Sequence, residues 1–203
     1  MIKEITAELR MRVLEPVVLP VGGLSRGRFD RLTRWMHWTT VFLVVFQFAS
    51  GWSFALAEGT PLFAPLLLLH RSSGATVWAI TALRFAWRSS LAHFPPFPGD
   101  LPRVMEWAAK TSERALYLLL VCEPLAGFAD SAWRGRPFDL FVWSVPVLVP
   151  RDIALAELFH QIHVWGAVAL AGLACAHAAA ALFHHFILKD DVLEAMLPWA
   201  ARR

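Results

Sequence analysis

Four stretches of this 203-residue chain stay apolar for longer than a soluble helix or strand requires. The hydrocarbon core of a bilayer takes about 20 mainly apolar residues per helix. Within it each backbone N–H and C=O must be satisfied inside the protein, which leaves the helix as the form such stretches adopt. The first is expected from Arg34 to Leu56, the second from Pro65 to Arg88, the third from Thr111 to Asp130 and the fourth from Leu155 to Leu188. The last is long enough to project beyond the hydrocarbon at both ends. Proline marks the connections. HFPPFPGDLPR (His93 to Arg103) cannot continue a helix, and about 24 residues holding Gly135, Pro137, Pro146 and Pro150 separate the third span from the fourth. The expected fold class is all-α, an integral membrane four-helix bundle.

Composition agrees. Hydrophobic residues make up 57% and charged residues 17%, against roughly 25% charged in an average soluble domain. Ten Trp accompany fifteen Phe and a single Tyr, which suits a lipid-facing surface with indoles at the two interfaces. The net charge of +3 is spread over loops and forms no groove-sized basic patch, so nucleic acid is not expected as a partner. Cys122 and Cys175 fall inside apolar segments and are expected to be buried thiols rather than a disulfide or a thiolate metal site.

Fourteen of the nineteen Lys and Arg lie in the N-terminal segment, the 88–114 connection and the C-terminal segment. Arg71, Arg134, Arg136 and Arg151 lie on the opposite side, and Arg84 lies inside a span. The positive-inside rule then puts both termini in the cytoplasm. MIKEITAELRMRVLEPVVLP lacks the long apolar run of a signal peptide. Residues 1–28 are expected to form a cytoplasmic extension, and residues 29–203 the four-helix membrane domain.

An ionisable residue within a span is costly, so each is a functional candidate. His37 sits near the cytoplasmic start of the first span and His70 near the outer start of the second. The fourth span carries His163 near its outer start, His177 fourteen residues later, and then His184 and His185. Fourteen residues are close to four helical turns and rise about 21 Å, so His163 and His177 leave one face at two depths. His70 matches the outer depth and His37 the inner. Two pairs result, His70 with His163 and His37 with His177. Two axial imidazoles are what a b-type haem requires, and helical bundles build such sites from inward-facing side chains. Two haem b groups are therefore expected, their irons held by His37, His70, His163 and His177. Gly51, Gly74 and Gly166 lie near these positions and would let a flat porphyrin approach; small residues also serve ordinary helix packing.

Blander roles compete at each position. A lone His in a span is more often a packing or interfacial group; four at matched depths on shared faces are harder to obtain by accident. His160 competes with His163 but points roughly 100° away from the face of His177. His93, in the proline-rich loop, is expected to be solvated. Zinc wants three or four clustered ligands, whereas here two lie at each level. Arg84, fourteen residues after His70, lies at the inner depth, where a haem propionate or a quinone oxygen would balance it; snorkelling to the headgroups is the alternative. Arg71 is placed to pair with an outer propionate, or with Arg134 and Arg136 to form a positive mouth for an anion such as superoxide, or simply to be solvated. His184 continues the stripe of His163 and His177 to headgroup level, where a His can exchange protons with a quinone head. His185 and Lys189 are weaker quinone candidates, and a terminal His-His pair is as readily just interfacial.

RFDRLTRWMHW, LLHRSSG, ALRFAWR and HVWGAVALAGLACAHAAAALFHHFILKDDVLEAMLP together resemble the prokaryotic cytochrome b561 family, including its superoxide oxidase branch, over roughly residues 29 to 198. The resemblance implies a four-helix bundle with two haems b, whose ligand positions fall on His37, His70, His163 and His177. It also implies a bacterial inner-membrane protein passing electrons between a donor and membrane quinone. In the superoxide oxidase branch the implied activity is superoxide oxidation outside with ubiquinone reduction, an oxidoreductase. The expected path runs from the outer donor to the His70/His163 level, on to the His37/His177 level, and to quinone near His184. Two other functions compete. One is a cytochrome b anchor subunit of a dehydrogenase or hydrogenase, with a periplasmic or membrane redox partner docked on the outer loop or on residues 1–28. The other, a histidine-lined metal transporter, would lack a haem spectrum.

Overall fold

The computed structural model describes residues 27–92 and 102–198. Most of the expected N-terminal extension, and His93, lie outside the described residues. Helix α1 runs Arg31–Ala57, α2 Phe63–Ser90, α3 Arg103–Trp133 and α4 Ile153–Phe183. A two-stranded antiparallel hairpin, β1 Phe138–Leu140 with β2 Trp143–Val145, lies between α3 and α4. A π-helical turn, His184–Leu188, follows α4, and a short helix α5, Val192–Met196, comes last. All four expected helices form. The third begins eight residues earlier than apolarity alone suggests, because its first two turns carry Arg103, Glu106 and Lys110 and continue the helix beyond the apolar stretch.

Among the described residues three helices are long and apolar enough to cross a membrane: α1, α3, and α4 with its π-helical extension. Helix α2 matches them in length but carries His70, Arg71, Arg84, Arg88 and four serines. The surface is that of a protein in lipid. Phe42, Trp52, Leu83, Trp165 and Val168 are all exposed, as are both cysteines, which are free thiols on the surface rather than buried. The four-turn spacing that sends polar side chains inward leaves the opposite faces, Cys122 and Cys175 included, pointing outward.

Helix α1 packs along α2, α3 packs along α4, and α2 joins the two hairpins through α3; α1 and α4 do not pack closely along their lengths. Val77, Leu120 and Leu170 form the buried apolar core, with Leu43, Val44, Phe48, Leu116 and Leu119 against it. Leu170 lies midway in sequence between His163 and His177, and Val77 midway between His70 and Arg84, so this core is a waist between the two histidine levels.

Polar contacts close each end. Asp30 caps α1, its carboxylate accepting from Thr33 N at 2.8 Å and Thr33 Oγ1 at 2.6 Å. Arg34 and Trp38 donate to the backbone carbonyls of Leu197 and Met196, both at 2.9 Å, which ties α5 to α1. Arg88 on α2 pairs with Glu113 on α3. At the other end Ser72 Oγ accepts from Phe141 N at 2.7 Å and holds the hairpin on α2. Gly135 turns the chain there with φ +65°, where a Cβ would strike the backbone of Arg151.

Candidate site: two histidine pairs

At the outer level the rings of His70 on α2 and His163 on α4 lie nearly perpendicular, centroids 6.1 Å apart. His70 Nδ1 lies 2.9 Å from Ser50 Oγ, whose hydroxyl donates to the Gln47 carbonyl at 3.1 Å. A hydroxyl committed that way receives the imidazole proton, so Nδ1 is the protonated nitrogen and Nε2 is left for a metal. Gln47 Nε2 donates to the His70 carbonyl at 2.9 Å, and the Phe54 ring lies edge-on at 5.1 Å, so α1 fixes the imidazole from two sides.

His163 is oriented by α3 in the same sense. Its Nδ1 lies 3.0 Å from the Glu123 carbonyl oxygen and 3.0 Å from Oε2 of the same residue. The single Nδ1 proton is directed at the carbonyl, and Oε2 is buried without a hydrogen-bond donor. Two glycines make this approach possible. A Cβ on Gly127 of α3 would meet the His163 ring at 3.3 Å, and one on Gly166 of α4 would collide with the Glu123 carboxylate. Each helix thus gives up a side chain opposite a polar group of the other.

The inner pair is His37 on α1 and His177 on α4, ring centroids 6.4 Å apart. His177 is exposed on an alanine-rich stretch of α4, facing the side where α1 and α4 stay apart. Arg84 points inward to this level and does not snorkel. Its Nη1 is 3.3 Å from Thr40 Oγ1, its Nη2 3.5 Å from His37 Nδ1, and its guanidinium lies 5.4 Å from the Tyr117 ring centre.

Arg71 turns outward from the bundle axis, donating to Ser131 Oγ at 3.1 Å over the Phe138 ring. With Arg134 and Arg136 it lines one cavity of about 320 Å³. His160 Nδ1 lies 3.3 Å from Asp130 Oδ2. His184 sits at the start of the π-helical turn, Nδ1 2.7 Å from Asp190 Oδ2. Lys189 is exposed and takes the left-handed conformation, φ 53°, that ends the turn. His185 packs edge-on to Phe186. Gly51, about four turns from His37 along α1, lies beside His70, while Gly74 is occupied by the Gln47 amide and Gly166 by Glu123, so helix packing uses both.

A profile of the prokaryotic cytochrome b561 family matches residues 28–199. The chain belongs to that family. It is 32% identical over 175 residues to cytochrome b561 homolog 2 of Escherichia coli K12, covering 84% of this chain and 91% of that protein. It is 28% identical over 180 residues to cytochrome b561 homolog 1 of the same organism, covering 85% and 98%. A probable superoxide oxidase of Yersinia pestis is 27% identical over 169 residues, covering 80% and 92%. As a prokaryotic cytochrome b561, the chain is a multi-pass bacterial membrane protein that binds haem b and takes part in membrane electron transfer.

Several residues that shape the site carry no histidine signature: Ser50, Gln47, Tyr117, Asp190 and above all Glu123. The last had a readable signal, since a carboxylate inside an apolar run is as costly as an imidazole there.

Proposed function

We propose that this protein is a dihaem b-type cytochrome of the bacterial inner membrane that carries electrons from an outer donor to membrane quinone. Its four long helices all cross the bilayer, α2 with His70, Ser72 and Arg84 turned inward, and both termini are cytoplasmic. His70 with His163, and His37 with His177, hold the two haems b, which supply one-electron redox chemistry when bound. The single observation that carries this reading is the geometry of the two pairs. Imidazoles coordinating one metal from opposite sides, each nitrogen at about 2 Å from it, bring their ring centres to about 6 Å; both pairs stand at that separation. The loose packing of α1 against α4, and the alanine-rich surface around His177, support room for a flat macrocycle.

The chain's own groups divide the remaining work. Ser50 and the Glu123 carbonyl fix the tautomer of the outer imidazoles. Arg84 offers a guanidinium to an acidic group at the inner level. The Arg71, Arg134 and Arg136 cavity gathers positive charge at the outer mouth and draws in an anionic donor such as superoxide. At the inner end His184, oriented by Asp190, is placed to pass a proton to ubiquinone as it is reduced, with Lys189 beside it.

The test is the haem count of single variants. Wild type should bind two haems per chain. His70→Ala and His163→Ala should each lose one, and the double variant should lose no more than one. His70→Ala combined with His177→Ala should lose both. Additive loss within a presumed pair would overturn the pairing. Stopped-flow mixing of the oxidised, purified protein with superoxide then tests the donor; rapid haem reduction is expected.

A second reading is a cytochrome b anchor subunit of a dehydrogenase or hydrogenase. The exposed apolar hairpin tip, Phe141, Val142 and Trp143, favours it as a docking surface for a redox partner. Under that reading superoxide would leave the isolated protein oxidised.

A further inference from the structure

The two histidine levels sit in electrostatic surroundings of opposite sign. At the outer level the Glu123 carboxylate is 93% buried and lies 3.0 Å from His163 Nδ1 through Oε2. At the inner level the Arg84 guanidinium lies 3.5 Å from His37 Nδ1, and the Glu113 carboxylate on that side pairs with Arg88. Neither charge is there by accident of packing. Glu123 is seated on Gly166, the one position on α4 whose missing side chain makes space for it. Arg84 is held by Thr40 and Tyr117. Of the other outer charges, Arg71 is directed to Ser131 and Phe138, and Arg134 pairs with Asp130 at 2.8 Å.

We infer that Glu123 is a positioning residue which lowers the reduction potential of the outer redox centre, while Arg84 raises that of the inner one, so that electrons fall inward. The inference rests on the dihaem reading above. A fixed negative charge beside a ligating imidazole stabilises the oxidised, more positive state of the metal and adds electron density to the ligand. A fixed positive charge does the reverse. In a low-dielectric interior both effects act with little screening. The Gly127 and Gly166 contacts hold α3 and α4 close enough for the carboxylate to act.

Redox titration of the purified, haem-loaded protein, followed in the α-band and by electron paramagnetic resonance, resolves the two centres. Glu123→Gln should raise the lower potential by at least tenfold in the reduction equilibrium, about 59 mV for one electron, and leave the higher one in place. Gly166→Ala, whose methyl displaces the carboxylate without altering it chemically, should move the same step in the same direction. It also carries the test if Glu123→Gln fails to load haem. Arg84→Gln should lower the higher potential. Full haem content with both potentials unmoved in Glu123→Gln or Gly166→Ala would mean that the carboxyl contributes no charge, and overturns the inference alone. A wild-type preparation without haem overturns the dihaem reading itself, and this inference with it.

Discussion

At the scale of single residues, the site depends on groups that touch the histidines from neighbouring helices. Ser50 is the clearest: its hydroxyl is the acceptor that holds His70 in one tautomer. Outer partners of this kind are worth about 10–100-fold in metal affinity. Ser50→Ala should therefore weaken retention of one haem by that order, measured as transfer to an acceptor apoprotein, while the other haem stays. Asp30 is a structural counterpart. Burial pushes its carboxyl pKa up, but hydrogen bonds from the Thr33 side chain and backbone and from Trp87 Nε1 outweigh this and hold it below its ordinary value. The cap's contribution is thus fully present above the ordinary carboxylate range and fades as pH falls through the lowered value. Asp30→Ala should cost about 0.5–2 kcal/mol, seen as a lower thermal midpoint at pH 7 that converges with wild type in strong acid. Of this residue-level detail the sequence disclosed the four imidazoles, because costly groups recurring at four-turn intervals are rarely chance. It did not disclose Ser50 or Gln47, since hydroxyls and amides in apolar helices commonly satisfy their own backbone.

At the scale of elements, the close seam between α3 and α4 positions the outer pair. Gly127 lies under the His163 ring, so Gly127→Leu should force the helices apart and strip the outer haem. The expected outcome is a one-haem protein with an intact helical circular dichroism spectrum; retention of two haems would show that the seam is not needed. The helices themselves were legible, to within a few residues at most ends, because lipid demands long uninterrupted apolar segments. The early start of α3 was not, since its first turns are charged and only the apolar part announces itself. The π-helical turn at His184 was not legible either. A seven-residue step beyond His177 extrapolates a regular helix, whereas the widened turn gives His184 to Asp190. The short hairpin 138–145 lacks an Asn-Gly or Asp-Gly turn and left no mark on the pattern.

At the scale of the whole molecule, two polar levels are stacked on either side of an apolar waist centred on Val77, Leu120 and Leu170. Leu170 is the residue of α4 in this waist. Leu170→Ala should cost about 2–5 kcal/mol, read as reduced resistance of the haem-loaded protein to denaturant in detergent. A smaller loss would mean that the site collapses around the cavity. Leu43, Val44, Phe48, Leu116 and Leu119 pack hydrocarbon against the waist. Electrons tunnel through hydrocarbon. On the proposed orientation negative charge therefore crosses the waist from the outer level to the inner one. Each turnover would then work like the charging of a small capacitor, and a voltage imposed across a sealed vesicle should speed or slow it according to sign.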